Sequence, residues 1–302
     1  MSERGSGHND AGSDTRMNPA TTCIFSVDVE DWFHILELNT APALEAWDRL
    51  PSRVERNLMR LLEIFSEANT RVTCFFLGWV AQKFPHLVRE AARRGHEIAS
   101  HGYYHRLVHQ MTRSEFLDDA VGSKKLLEDI VGRPVAGYRA SGFSVTEKTP
   151  WFFSALVEAG YRYDSSVFPA RRAHGGLKGG RMAPYVVSDQ AGRLVEFPVT
   201  VSRFAGSPRC FFGGGYLRLF PLPVIRSMAR RVLAEGRPVI FYVHPREIDV
   251  DHPRLAMGPA RRFKCYVNLK TTEGKIQRLL SEFPMSTFAD WIANSALGGS
   301  DS

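Results

Sequence analysis

Two histidines four residues apart, His101 and His105 in the segment SHGYYHRLV, are the first residues in this sequence that point to metal chemistry. A segment far upstream, FSVDVEDWFH, supplies the carboxylates of Asp28, Glu30 and Asp31. Two imidazoles and one carboxylate form a metal site that leaves coordination positions open for water, and a divalent ion lowers the pKa of that water towards neutrality. These residue types therefore predict a hydrolytic metal centre.

A third histidine, His244, lies near the C-terminus and directly follows the apolar run PVIFYV. Asp28 and His101 also follow runs rich in Val, Ile and Phe or in small apolar residues, CIFSV and EIAS. Because the carboxyl ends of parallel strands meet at one mouth of a sheet or barrel, the three side chains should converge. A histidine at such a strand end is well placed to donate a proton.

The elements that must position these residues alternate between strand and helix patterns. Strands are predicted at residues 23–27, 72–76, 97–100, 135–138, 161–163 and 238–243. Helices are predicted at residues 53–68, from the Thr112–Glu115 capping box to about 130, and from Thr149 to Gly160. Repeated βα units of this size imply a parallel sheet. Residues 170–220 break the pattern into Gly-rich and short strand-like pieces, which predicts an insertion beside the main barrel.

Length and composition indicate one large α/β domain. The chain has 302 residues, of which 44% are hydrophobic and 24% charged. We expect a disordered tail at residues 1–20, a domain at 21–295 with a C-terminal segment at 245–295, and a short tail at 296–302. No readable export signal or long apolar stretch is present, which gives a cytoplasmic expectation. The four cysteines form no CxxC pair and are expected to be reduced thiols.

The formal net charge of +7 is partly local, with basic residues concentrated at 171–181 and 261–264. An anionic polymer, a lipid-linked phosphate or a membrane surface could use such patches, although many basic surfaces are simply solvated. No nucleic-acid motif accompanies them, so nucleic acid is not an expected partner.

The order of SVDVED, HGYYH, GYRASGF, YRYDSS and YVHP resembles the five motifs of the NodB-like polysaccharide deacetylases, carbohydrate esterase family 4. The resemblance extends from about residue 22 to about residue 292. DVEDWFH, GGGYLRLFP and HPREID are similar to a narrower branch, which is associated with bacterial exopolysaccharide loci and the exosortase system and carries its own C-terminal extension. The resemblance implies a distorted, incomplete (β/α) barrel of the α/β class.

The resemblance also implies a role for each residue of the first two motifs. Asp28 matches the general base, and either Glu30 or Asp31 must supply the carboxylate ligand because Val29 separates the usual acidic pair. Strict alternation along an extended segment favours Glu30, whereas a turn at the strand end would favour Asp31. His101 and His105 match the histidine ligands of a divalent metal, with zinc as the first choice and cobalt, nickel or iron as alternatives.

The later motifs supply the remaining catalytic residues that the resemblance implies. Arg139 matches the arginine that pairs with the base, Asp164 the acid that orients the catalytic histidine, and His244 that histidine, a general acid. The implied reaction is hydrolysis of N-acetyl groups on an amino sugar of an oligo- or polysaccharide, in exopolysaccharide biosynthesis. An anionic or lipid-linked glycan at the inner membrane face is a further expected partner.

Two other functions remain open at this stage. Relatives on the same barrel open small rings, so a cyclic amide or imide hydrolase of the allantoinase type is one alternative. A catalytically inactive carbohydrate-binding protein is the other, and the intact Asp28, His101, His105 and His244 argue against it.

Overall fold

A computed structural model of the chain describes residues 18–36, 38–170, 175–189, 192–204 and 206–298. The strands are β1 Cys23–Val29, β2 Thr73–Phe76, β3 Glu97–Ser100, β4 Gly137–Tyr138, β5 Tyr163–Asp164, β6 Tyr185–Asp189, β7 Gly192–Glu196, β8 Val201–Phe204, β9 Ser207–Cys210, β10 Ile240–Val243 and β11 Met285–Ser286. The α-helices are α1 Val54–Glu67, α2 Gly78–Lys83, α3 Pro85–Arg93, α4 Arg113–Val131, α5 Phe152–Glu158, α6 Gly214–Leu219, α7 Leu222–Ala234, α8 Pro259–Tyr266, α9 Leu269–Glu282 and α10 Phe288–Ala293. Short 3-10 helices lie at Pro19–Thr21, Leu44–Arg49, Val108–Gln110, Ser141–Phe143, Pro245–Ile248 and Ala296–Gly298.

The main sheet is curled and nearly all parallel, with the strand order β10-β1-β2-β3-β4-β5-β7-β6. Within the described residues of this sheet, the β6–β7 pair alone is antiparallel, and β11 pairs with the start of β1. Strand β1 is buried along its whole length, as expected for a central strand covered on both faces. This is the incomplete (β/α) barrel that the sequence predicts, so the fold-class prediction is confirmed.

The predicted local patterns mostly form, with shifts of a few residues. Helix α1 keeps the apolar stripe, and helix α4 begins at the predicted capping box, in which Thr112 and Glu115 bond each other's backbone N–H groups. Helix α5 begins later than predicted, at Phe152. The hydroxyl of Thr149 donates to the carbonyl oxygen of Thr146 at 2.9 Å and closes a turn before the helix.

The region at 170–220 is not only an insertion beside the barrel, which corrects that expectation. Strand β7 pairs in parallel with β5 and continues the main sheet, and β6 folds back on β7 as a hairpin. Strands β8 and β9 form a separate two-stranded sheet. The parallel pairing of β5 with β7 joins residues about thirty positions apart, so local periodicity could not reveal it.

The remaining expectations concern the termini, the basic patch, the cysteines and the membrane. Most of the predicted N-terminal tail, and residues 171–174 of the basic patch, lie outside the described residues. All four cysteines are free, as expected, and only Cys265 is partly exposed. None of the helices in the described ranges combines the length and apolarity that a bilayer span requires.

Candidate active site

Polar side chains at the carboxyl ends of three parallel strands meet in one cavity. Glu30 follows β1, His101 follows β3 and His244 follows β10, while Asp28 lies near the end of β1. Arg139 directly follows β4 and reaches Asp28 from there. The ends are level because neighbouring strands pair in register, with Val27 opposite both Cys74 and Val243. The convergence follows from the parallel sheet itself.

Glu30, His101 and His105 form a cluster that could hold a metal ion. One ligand atom from each residue lies within 4.8 Å of the others, and all three residues are buried. His105 Nε2 lies 2.6 Å from Glu30 Oε2, so these two potential ligand atoms are already close together. A carboxylate and two imidazoles form the donor set of a divalent transition metal.

The protonation of this cluster also suits a metal. His101 Nδ1 lies 2.8 Å from the carbonyl oxygen of Arg139, to which it donates in the neutral form, so Nε2 is left free to bind. Burial lowers the pKa of His101 to about 4, which keeps the ring neutral at physiological pH. Burial alone would raise the pKa of Glu30, but the nearby His105 and His244 hold that pKa well below its usual range.

The two histidines are presented by a loop rather than by a helix. Gly102 and His105 both adopt positive φ, at 75° and 55° respectively. Asp119 of α4 accepts hydrogen bonds from the backbone N–H groups of Tyr103, at 2.8 Å, and Tyr104, at 3.3 Å. The carboxylate thus holds the loop that carries the predicted ligands.

Asp31 does not join the cluster, which corrects its place among the candidate ligands. Its carboxylate accepts hydrogen bonds from the backbone N–H groups of Arg53 and Val54 and from the hydroxyl of Ser52. These N–H groups belong to the N-terminus of α1, where donors lack partners within the helix and a negative charge is stabilised. The side chain of Asp31 caps α1, and of the two candidate ligands Glu30 is the one that faces the histidines.

Asp28 lies beside the cluster and is paired with Arg139. Arg139 Nη1 donates to Asp28 Oδ1 at 2.6 Å and to the hydroxyl of Ser26 at 2.8 Å. The guanidinium is completely buried, and Phe75 lies below it with a ring centroid 4.1 Å away. The other oxygen, Asp28 Oδ2, lies 3.9 Å from His244 Nε2.

His244 is surrounded by acids. Its Nε2 lies 3.6 Å from Glu30 Oε1, and its Nδ1 lies 3.5 Å from Glu247 Oε1. Burial would lower the pKa of His244, but Glu30, Glu247 and Asp28 together raise it above the ordinary value. Glu247 is in turn 3.5 Å from the buried Arg218, and its pKa is lowered because these charges outweigh its burial.

Asp164 has other partners than the expected His244, and this corrects the orienting role that the resemblance implied for it. Ser166 donates to Asp164 from its hydroxyl, at 2.5 Å, and from its backbone N–H. Asp164 lies directly opposite Glu196 in the register of β5 and β7, and the two side chains are hydrogen-bonded. The acid beside the imidazole of His244 is Glu247.

Sequence reasoning missed Glu247, Arg218 and His34. Glu247 lies in HPREID and Arg218 in GGGYLRLFP. Both segments are similar to the exopolysaccharide-associated branch, but that similarity gave no role to either residue. His34 accepts a hydrogen bond from the backbone N–H of Asp31 at its Nδ1, and its buried Nε2 has no partner among the described residues. The polar residues of these branch-specific segments were the sequence feature that could have indicated additional site residues.

These side chains line a cavity of about 600 Å³. One side is formed by the strand-end residues, and the other by residues of the region around α6, the segment after β10 and α8. A cavity of this size with a few convergent polar groups is typical of an enzyme site.

Comparisons with known proteins match this chain to two family models and to several relatives. Residues 43–163 match the family model "Polysaccharide deacetylase", and residues 165–293 match the model of a domain of unknown function, DUF3473. A peptidoglycan deacetylase of Helicobacter pylori is 28% identical over 113 residues, which are 37% of this chain and 38% of that protein. A peptidoglycan-N-acetylglucosamine deacetylase of Bacillus cereus is 29% identical over 73 residues, 24% of this chain and 26% of that protein. The chain thus spans less than half the length of these relatives.

Solved structures share the fold. A Mycobacterium smegmatis protein assigned to the polysaccharide deacetylases has a TM-score of 0.56 and 23% identity, with 88% of this chain and 86% of that chain covered. A PuuE allantoinase has a TM-score of 0.60 and 17% identity, with 97% of both chains covered. At these identities the likeness concerns the fold alone.

Proposed function

We propose that this chain removes N-acetyl groups from amino sugars of a glycan. The premise is that it belongs to the polysaccharide deacetylase family, with DUF3473 as its C-terminal extension. The supporting observation is the grouping of Glu30, His101 and His105 beside Asp28 and His244 in one buried cavity. The products would be a free amine on the sugar and acetate.

Glu30, His101 and His105 would hold the divalent ion in this proposal. The two imidazoles and the carboxylate described above fit zinc first, with cobalt, nickel or iron as alternatives. When bound, the ion supplies a Lewis acid for the amide carbonyl and a water of lowered pKa.

Asp28 acts as the general base. Its Oδ1 is held by Arg139, which leaves Oδ2 facing the space next to His244. A water between the cluster and this oxygen would lose its proton to Asp28 as it attacks the amide carbon. Arg139 fixes the carboxylate in one orientation through several hydrogen bonds of its own.

His244 acts as the general acid. Its raised pKa keeps a fraction of the ring protonated near neutral pH, and its Nε2 faces the carboxylates of Asp28 and Glu30. An amine is a poor leaving group unless it is protonated, so the imidazolium donates a proton to nitrogen as the C–N bond breaks. Glu247 takes the role of holding the imidazole at Nδ1.

The glycan is proposed to belong to an exopolysaccharide or a lipid-linked precursor of one. This rests on the similarity of the DVEDWFH, GGGYLRLFP and HPREID segments to the exopolysaccharide-associated branch. The named relatives act on peptidoglycan, which makes an N-acetylglucosamine polymer the first substrate to try.

The test is acetate release from a panel of N-acetylated oligosaccharides, measured with protein reconstituted with each metal. Wild type should release acetate, and His244→Ala should lose activity by about a hundredfold or more. The loss should be smaller on an activated acetyl ester, whose leaving group needs no proton.

Two results would count against the proposal. Equal losses on amide and ester would mean that His244 does not donate the proton. Ring opening of a cyclic ureide without acetate release from any oligosaccharide would favour the cyclic amide hydrolase instead.

A further inference from the structure

The C-terminal half of the chain gives the cavity an excess of positive charge. Five basic residues line the cavity: Arg209, Arg218, Arg246, Arg261 and Lys264. Two of them have clear structural roles. Arg218 donates to the backbone carbonyls of Lys264 and Cys265, and Arg261 donates to that of Leu36 at 2.7 Å.

Arg246 differs from these two in how many of its donors are free, because among the described residues Arg218 leaves only Nε without a hydrogen bond, and that atom lies 3.5 Å from Glu247 Oε1. The Nε and Nη1 atoms of Arg246 are buried, yet neither has a hydrogen-bond partner in the part of the chain that the structure describes. Its charge lowers the pKa of Glu30 and of Glu247, so it acts on both carboxylates through space. Buried charged donors are normally paired, and an unpaired one at a cavity wall indicates a ligand that completes it.

The edge of the same cavity exposes apolar side chains. Tyr216 is 36% exposed, Leu219 40% and Phe263 57%, and all three line the cavity. Exposed aromatic and aliphatic groups that surround a cavity are typical of a ligand groove. An aromatic ring offers a flat apolar face to the C–H face of a sugar, while its edges leave polar groups hydrated.

We propose that this wall, which lies within the DUF3473 region, is a second subsite that binds an anionic substituent on a neighbouring sugar of the glycan. The inference rests on the proposed deacetylase function and adds the substrate class, an N-acetylated glycan that carries carboxylate or phosphate groups. The planar fork of an arginine matches both of these oxyanions.

The position of Arg246 sets where the anion binds. Arg246 follows His244 by two residues, so the subsite adjoins the group that would protonate the leaving amine. Lys264 and Arg209 are exposed on the same lining and would extend the positive surface along the chain of the glycan. Asp28 and Glu30 would repel an anion, which confines the charged sugar to the Arg246 side and the acetylated sugar to the metal side.

The experiment compares three oligosaccharides of equal length. One contains only N-acetylglucosamine, the second alternates it with a uronic acid, and the third carries a phosphomonoester on alternate sugars. The measured quantity is kcat/KM for acetate release, expressed as the ratio of each acidic substrate to the neutral one. Binding of each oligosaccharide is measured in parallel by calorimetry, which requires no turnover.

Wild type should prefer an acidic substrate by about tenfold or more, which corresponds to hydrogen bonds between charged groups, and added salt should reduce the preference. Arg246→Gln should lower the ratio by about tenfold or more, mainly through KM. Arg262→Gln is the matched control, because Arg262 is an exposed residue of the neighbouring helix α8 that does not line the cavity, and its ratio should stay at the wild-type value.

The outcomes separate the subsite from the reaction. Acetate release without any acidic preference overturns the subsite and leaves the deacetylase intact. An equal fall in kcat on all three substrates in Arg246→Gln also overturns it and places Arg246 in the catalytic framework. Tight binding of an acidic oligosaccharide that Arg246→Gln abolishes, without acetate release from any substrate, supports the subsite and overturns the deacetylase function.

Discussion

Two regions of the same curled sheet carry buried acids that differ in protonation: Glu30, directly after β1, and the pair of Asp164 on β5 and Glu196 on β7. Glu30 is held ionised by His105 and His244, even though its burial would favour the neutral form. Asp164 and Glu196 are equally buried but lie beside each other. Burial raises the pKa of Asp164 to about 6, although the hydrogen bond with Glu196 lowers it, and burial together with the charge of Asp164 raises the pKa of Glu196 well above its usual value. Burial raises the pKa of every carboxyl group, and the nearest charges decide the outcome.

The two groups also differ in what they hold together. Glu30 lines the cavity, where its carboxylate lies beside His105 and His244. Asp164 and Glu196 share a proton across the parallel pair of β5 and β7, and Glu196 also accepts the backbone N–H of Val167 at 2.9 Å. The carboxylate of Glu30 is thus available to a ligand in the cavity, whereas those of Asp164 and Glu196 are used within the fold.

The largest effect should come from dismantling the ionised group. His101→Ala and His105→Ala should each lose most bound metal. Removing a residue that merely supports a metal ligand lowers activity by up to about a hundredfold, so removing a ligand itself should lower activity by at least that factor. Elemental analysis of purified protein checks the metal content. His86→Ala, at an exposed histidine outside the cavity, serves as the control. Full occupancy in both ligand variants would remove the metal site from the proposal.

The neighbouring acids should separate by function in the next test. Asp28→Asn should keep the metal and lose activity by about a hundredfold or more, as expected for a general base. Asp31→Asn should keep both metal and activity and change the unfolding free energy by less than about 1 kcal/mol, because an asparagine oxygen can still accept the backbone N–H groups at the start of α1. Metal content, acetate release and thermal unfolding are compared in the two variants. An Asp31→Asn protein without metal would contradict the assignment of Glu30.

A smaller effect should appear in the pH profile when one acid near His244 is removed. Glu247 raises the pKa of His244, so Glu247→Gln should lower that pKa. With a lower pKa, the imidazolium of His244 loses its proton at a lower pH. The alkaline limb of the activity profile should therefore move to lower pH while metal content stays unchanged. A limb that stays in place in Glu247→Gln would show that His244 does not set it.

The smallest effect concerns the proton shared by Asp164 and Glu196. The folded pKa of Asp164 is raised from 3.8 to about 6, so the unfolded chain ionises first and stability falls as the pH rises through that window. Glu196→Gln removes one titrating group and keeps an acceptor for the backbone N–H of Val167. The free energy of unfolding should therefore fall less steeply with pH, by about 1 kcal/mol for each unit of raised pKa that the substitution removes. Chemical unfolding from pH 4 to pH 8 measures it, and an unchanged slope would argue against the shared proton.

Much of the site could be predicted from the sequence because it rests on local patterns. Asp28, His101 and His244 directly follow runs that are typical of buried strands, and parallel strands bring such ends together. His105 was predicted from its spacing of four residues from His101. The capping box of Thr112 and the apolar stripe of α1 are also local, and both form.

Only the tertiary structure decided which acid accompanies each histidine. Asp31 is adjacent to Glu30 in sequence, but the N-terminus of α1 offers Asp31 unpaired N–H groups from more than twenty residues away. Asp164 faces Glu196 because β7 joins the sheet next to β5, and Glu247 reaches His244 because a short helix follows β10. The sequence determined which residues follow the strands, whereas the partner of each carboxylate depends on long-range pairing that a local pattern does not contain.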